Sequence, residues 1–157
     1  KRQMTGTNQN KITVEVQIAC KDLDLPTAAR IRNWVKLSLR GLRKHAALTV
    51  RIVNRNEGAK LNERWRNRKG PTNVLSFASG NLVQAPELLG DIVICAPVIK
   101  KEALQQRKDL TAHWAHMVVH GVLHLLGFEH EKKKDATIME AMEIRILHDL
   151  GFANPYN

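Results

Sequence analysis

The stretch HGVLHLLGFEH, from His120 to His130, limits the possible folds of this chain more than any other. His120 and His124 are four residues apart, a spacing that stacks two side chains on one face of a helix. Gly127 follows three residues later, and glycine readily takes the left-handed conformation that closes a helix. The chain can then bend back and return His130 to the first two. Three imidazoles with a fourth position left to water make an open site for one divalent ion, and zinc or a similar imidazole-binding metal is expected.

The spacing H-x-x-x-H-x-x-G-x-x-H is that of the extended zinc-hydrolase motif, with one change. Peptidases of the H-E-x-x-H type carry their general base directly after the first histidine. Here that residue is Gly121. The ligand pattern is kept and the peptidase base is missing. Gly121 is expected to leave space and bare backbone beside the metal for a bulky substrate. His113 and His116 fall near the same helical face, where either could orient a ligand by hydrogen bonding; for His113 a satisfied packing role is the expectation. His116 is an alternative third ligand in an i, i+4, i+8 row, although a straight helix spreads three such nitrogens too far around one ion. His45 and His148 read as ordinary surface residues.

The rest of the chain frames this segment. Residues 1–10 are polar and read as a flexible terminus, leaving 11–157 as one domain. Ile12, Val14, Val16 and Ile18 alternate with polar residues, as in a strand with one covered face. A helix is expected over 27–44, with Ile31, Trp34, Val35, Leu39 and Leu42 on one side. Arg32, Lys36, Arg40 and Arg43 would form a cationic stripe on another. Strands follow at 48–53, 73–77 and 90–95, with a short helix over 57–66 and a loop over 78–89. Pro97 suits the first turn of a helix reaching Arg107. Asp109 can cap a long helix to about Leu126, and a last helix runs from about Lys134 to Leu150. The order predicts an α+β fold with a small four-stranded mixed sheet.

The net charge of +10 over 157 residues makes a polyanion, RNA above all, the first partner to consider. The charge concentrates over 30–44 and again over 51–69. Such groups would track a phosphate backbone without reading sequence. Aromatic residues are only 4% of the chain, so base stacking is expected to be minor. Trp65, Phe77 and Tyr156 are the conceivable platforms, against core or tail roles. Ser76 and Asn73 are candidates to line a cleft on an edge strand. No apolar run approaches the roughly 20 residues of a membrane span, and no export signal is evident, so the cytoplasm is expected. Cys20 and Cys95 lack metal-site spacing and read as two buried thiols.

The run TAHWAHMVVHGVLHLLGFEH, with LNERWRNRKGPTNVLSF, LLGDIVIC and AMEIRILHDLG, resembles the YbeY-type endoribonucleases, the bacterial ribosomal RNA maturation factors. The resemblance spans nearly all of the chain after residue 11. It implies an α+β domain with a catalytic metal on His120, His124 and His130. It also implies cleavage of single-stranded RNA, in 16S ribosomal RNA maturation and ribosome quality control, with the small ribosomal subunit and its assembly factors as partners. The family's functional arginine falls on Arg66, whose guanidinium fork suits a phosphorane-like transition state. Family members often carry Asp before the last histidine, and this chain has Glu129. Glu129 and His116 are weaker catalytic candidates, and the nucleophile stays open between water and the RNA 2′-hydroxyl. Two rivals stand beside this reading: a zincin-like metallopeptidase, and a non-catalytic RNA-binding assembly factor with a structural metal.

Overall fold

The computed structural model of the chain describes residues 10–80, 85 and 87–157. Strand β1 (Lys11–Ala19) leads into helix α1 (Ala28–Leu39), strand β2 (His45–Val53) and helix α2 (Arg55–Arg66). Strands β3 (Val74–Ala78) and β4 (Leu88–Cys95) follow, then helices α3 (Ala96–Gln106), α4 (Leu110–Leu125) and α5 (Lys133–Asp149). The four strands form one mixed sheet in the order β1-β2-β4-β3. β1, β2 and β4 run parallel, and β3 is antiparallel to β4 on the outer edge.

Alternation along the inner strands sorts the two faces. Leu48, Val50, Ile52, Ile92 and Ile94 point into the main core, with Ile31, Val35, Trp114, Val118 and Val122 from the helices. Val53, Leu75, Val93 and Cys95 form a smaller cluster on the other face, joined by Leu61 of α2. α4 carries eleven buried residues and packs against α1, α3, α5 and the sheet, so it is the central helix of the molecule. Helices must bury an apolar stripe to be stable, and here α4 is covered on most sides.

The sequence places these elements well and misplaces some of their ends. α1 stops at Leu39 rather than Lys44, because Arg40 is extended and Gly41 takes φ +81°. Arg40 and Arg43 therefore leave the helix, and the expected stripe is broken. Arg32 Nε donates to the Val14 carbonyl at 3.1 Å and Arg40 lies 3.7 Å from Asp149. β4 begins at Leu88, two residues before the expected strand; residues 81–84 and 86 of the loop lie outside those described, as do 1–9 of the expected flexible terminus. Cys95 is buried as expected, but Cys20 is only half-buried, and neither is in a disulfide. Ile18 breaks the covered face of β1, being 48% exposed.

Candidate metal centre

α4 starts where the Asp109 carboxylate accepts the Ala112 N–H at 3.0 Å. From there His113, His116, His120 and His124 follow at intervals of three, four and four residues along one face. The helix ends at Leu125, and Gly127, at φ +100°, closes it with its N–H donated to the His124 carbonyl at 3.0 Å. The Phe128 N–H reaches back to the Leu123 carbonyl at 3.1 Å. These two bonds turn the chain and carry His130 to the others. Ring centroids lie 4.6 Å apart for His120 and His124, 4.8 Å for His124 and His130, and 5.3 Å for His120 and His130. One ring nitrogen from each of the three falls within 4.8 Å of the others.

The chemistry of this donor set fits a divalent ion. Nε2 of His120 and Nε2 of His124 face each other at 3.1 Å, close to the roughly 3.3 Å separation of two nitrogens on a tetrahedral zinc. Burial, with the neighbouring charges of His120 and His130, pushes His124 down to about 4. His124 is thus a neutral imidazole at pH 7, the form that donates a lone pair. The Nδ1 atom of His120 is occupied at 2.5 Å by Glu143 Oε2. A carboxylate on Nδ1 fixes the ring and leaves Nε2 as the ligand atom.

Glu143 is the residue that sequence reasoning missed. It is wholly buried on α5. Its Oε1 takes His116 Nε2 at 3.0 Å and the Tyr156 hydroxyl, while Oε2 holds His120. Burial pushes this carboxyl up, but the hydrogen bonds from His116, His120 and Tyr156 outweigh it and bring Glu143 down to about 2. A usable signal lay in the pattern: Glu143 shares a phase with Met139, Ile146 and Leu147, which form the buried face of α5. A lone acid in an apolar phase must find partners, since an unpaired buried charge is very costly. His116, His120 and Glu143 also satisfy the spacing for an ion, but their donor atoms are already in contact with one another.

The other expected residues are placed as follows. Arg66, in the last turn of α2, donates Nη2 to the Ser76 carbonyl at 2.7 Å and lies over the Phe77 ring at 5.4 Å. It lines a cleft of about 960 Å³ with Arg68, His120, His124 and His130. Glu129 lies on the same cleft and is exposed, and Glu131, not singled out by sequence, joins it. Ser76, on edge strand β3, and Asn73, just before that strand, both border the cleft. His116 does not: it is buried, turned to Glu143, and borders a separate cavity of about 210 Å³ beside the C-terminal residues. His113 is buried and meets Glu102 Oε1 at 2.9 Å, the satisfied packing role expected of it. Tyr156 serves the Glu143 cluster and is not a cleft platform. Of the two basic regions, only Arg66 and Arg68 line the cleft, and Arg51 is spent on Glu57 at 2.7 Å.

Gly121 needs a different account from open space beside a metal. It is buried, and a Cβ there would meet Ile92 Cγ2 at 2.8 Å. Ile92 pairs with Ser76 across β3 and β4, and Ser76 Oγ donates to the Gly121 carbonyl at 3.0 Å. The glycine lets α4 press onto the sheet edge, which sets His120 and His124 at the cleft.

Comparison with known proteins agrees with this architecture. The model of the Endoribonuclease YbeY family matches residues 15–151. A protein of Nitrosococcus oceani named Endoribonuclease YbeY is 47% identical over 92% of this chain and 97% of its own length. Proteins of the same name from Coxiella burnetii and Pseudomonas savastanoi are each 45% identical over 92% of this chain, covering 98% and 88% of their own lengths. The solution structure of the Thermotoga maritima protein TM1509 shares the fold, with TM-score 0.56 and 17% identity, covering 90% of this chain and 99% of that one. With the family matched from β1 to the end of α5 and relatives sharing nearly half their residues, this chain belongs to the YbeY endoribonuclease family.

Proposed function

We propose that this chain is a metal-dependent endoribonuclease that cleaves single-stranded RNA as one catalytic domain over residues 11–157. Its role would be 16S ribosomal RNA maturation and ribosome quality control in the cytoplasm, with the small ribosomal subunit and its assembly factors as partners. The observation that carries the reading is the convergence of three imidazoles in a cleft that also holds Arg66 and Arg68. Among the described residues no helix is long and apolar enough to cross a membrane.

His120, His124 and His130 would hold one ion, Zn²⁺ by the character of the three nitrogens. When bound, the ion supplies Lewis acidity toward a phosphodiester. The protein's own groups do the rest. Glu143 orients His120 and keeps its Nδ1 proton fixed. Arg66 is anchored through one N–H to Ser76, and a guanidinium has five. Among the described residues no carboxylate pairs with it, so its charge is available to stabilise a phosphorane-like transition state. Glu129, which lines the cleft with His130, is the weaker candidate that would take a proton from the nucleophile, water or the 2′-hydroxyl.

The packing of Gly121 disfavours a peptidase. A glutamate there would collide with Ile92 instead of facing a substrate. A structural metal is disfavoured because closed zinc sites have four protein ligands, and this cluster offers three. The test is cleavage of a defined ribosomal RNA precursor with and without chelator, beside a peptide library on the same metal-loaded sample. Cleavage of RNA alone, abolished by chelator, is expected. In the same assay Arg66→Glu should keep metal and fold and lose at least about a hundredfold in rate, as for loss of a transition-state donor. Normal cleavage by that variant removes Arg66 from the mechanism.

A further inference from the structure

The chain has three tryptophans, and two of them, Trp34 and Trp114, are buried in the core. Trp65 is 57% exposed. It does not anchor its helix, since the buried positions of α2 are Gly58 and Asn62. Instead it lines the cleft that holds the three histidines. Its indole meets the Phe77 ring edge-on, with centroids 6.3 Å apart and planes at 67°. The Arg64 guanidinium carbon stands 5.2 Å from the Trp65 ring centroid, and that of Arg66 stands 5.4 Å from the Phe77 ring. Two aromatic rings are thus braced against each other and flanked by cations. The brace extends to the metal centre, because Arg66 is bonded to the Ser76 carbonyl and Ser76 to Gly121, the residue after His120.

We propose that Trp65 is a stacking platform for a nucleobase of the strand held in the cleft, steadied by Phe77 and Arg64; this rests on the endoribonuclease reading above. An exposed indole gives a flat face that any base can cover. Single-strand binding sites combine such faces with a cationic groove for the backbone. Here the phosphates on either side of the stacked base would fall between Arg66 and Arg68, which neutralise them without selecting sequence. The edge contact with Phe77 favours one orientation of the indole, which lowers the side-chain freedom lost when a base arrives. The base on Trp65 would thereby set which phosphodiester lies between Arg66 and the three imidazoles.

The full-length protein, stripped of metal so that RNA stays intact and checked for fold by circular dichroism, allows a direct test. Tryptophan emission is followed while oligoadenylate is added, and again with a base-free ribose phosphate strand of equal length and charge. Because Trp34 and Trp114 are buried, a change caused by contact with bases comes from Trp65. Quenching by oligoadenylate but not by the base-free strand is expected, and it should vanish in Trp65→Phe, which still binds. Trp65→Ala should bind about five- to a hundredfold more weakly, the range that one base–aromatic contact supplies. In the metal-loaded form that variant should raise KM more than it lowers kcat. Equal quenching by both strands, or equal affinity of Trp65→Ala and the unaltered chain, overturns the platform even if RNA is cleaved. A chain that neither binds nor cleaves any single strand overturns the endoribonuclease reading together with it.

Discussion

Two residues show how much of the site depends on groups that never touch a substrate. Glu143 is buried with all its partners in place, so its carboxylate acts as a fixed bracket for His120. Glu143→Gln keeps the shape and loses the charge. Zinc affinity is expected to fall about 10- to 100-fold, as for other groups that orient a metal-binding histidine, measured by competition with a chelating dye. Unchanged affinity would mean that His120 needs no bracket. Gly121 presents a balance of two terms. Alanine in a helix interior gains about 1 kcal/mol over glycine, while overpacking a tight contact costs about 1–3 kcal/mol. The Ile92 methyl that a Cβ would strike sits directly on a branched carbon and cannot swing away. Gly121→Ala is therefore expected to be destabilising by up to about 2 kcal/mol net, read from the urea midpoint. A more stable variant would show that the contact between α4 and the sheet can relax. The convergence of His120, His124 and His130 was legible in the sequence because an i, i+4 pair and a glycine-closed turn are local geometry. The meaning of Gly121 was not, since it depends on Ile92 and Ser76, which are distant in the chain.

At the scale of elements, helices with strong local signals were readable almost to the residue. Asp109 and Gly127 bound α4 as capping rules require. α1 was read too long because Arg40, Leu42 and Arg43 continue the helical period after the chain has left the helix at Gly41. Periodicity reports which residues would share a face, not whether the backbone is still helical. α5 was placed correctly, yet its one buried acid escaped notice, since Glu143 pairs with a different helix. The contact between α3 and α4 adds a pH dependence. Burial holds His113 below the ordinary imidazole value, and the hydrogen bond and charge of Glu102 only partly offset this; His116 and Lys108 add to the lowering. The folded state thus resists protonation, whereas the unfolded chain takes up a proton near 6.5. Stability should be complete above that value and fall as pH drops below it, by up to about 1.4 kcal/mol per pH unit. Urea unfolding of the unaltered chain and His113→Gln between about pH 5.5 and 7.5 should give a shallower slope for the variant. Parallel slopes would mean that His113 charges freely in the folded protein.

At the scale of the whole molecule, the sheet order matters most. Placing β3 antiparallel on the outer edge brings residues near 66 and 76 beside residues 120–131. No sequence spacing reveals that approach, because it follows from which strands pair. The net charge pointed to a polyanion, but the fold selects among the cations. Arg66 and Arg68 reach the cleft, while α1, which packs on β1 and α4, carries its basic residues elsewhere. Everything functional in this account depends on His120, His124 and His130 binding a single divalent ion. Calorimetric titration of the chelator-stripped chain with Zn²⁺ tests this most directly. One ion per chain is predicted, with uptake lost or greatly weakened in each of His120→Ala, His124→Ala and His130→Ala. Absence of stoichiometric uptake, or uptake indifferent to all three substitutions, would contradict the account.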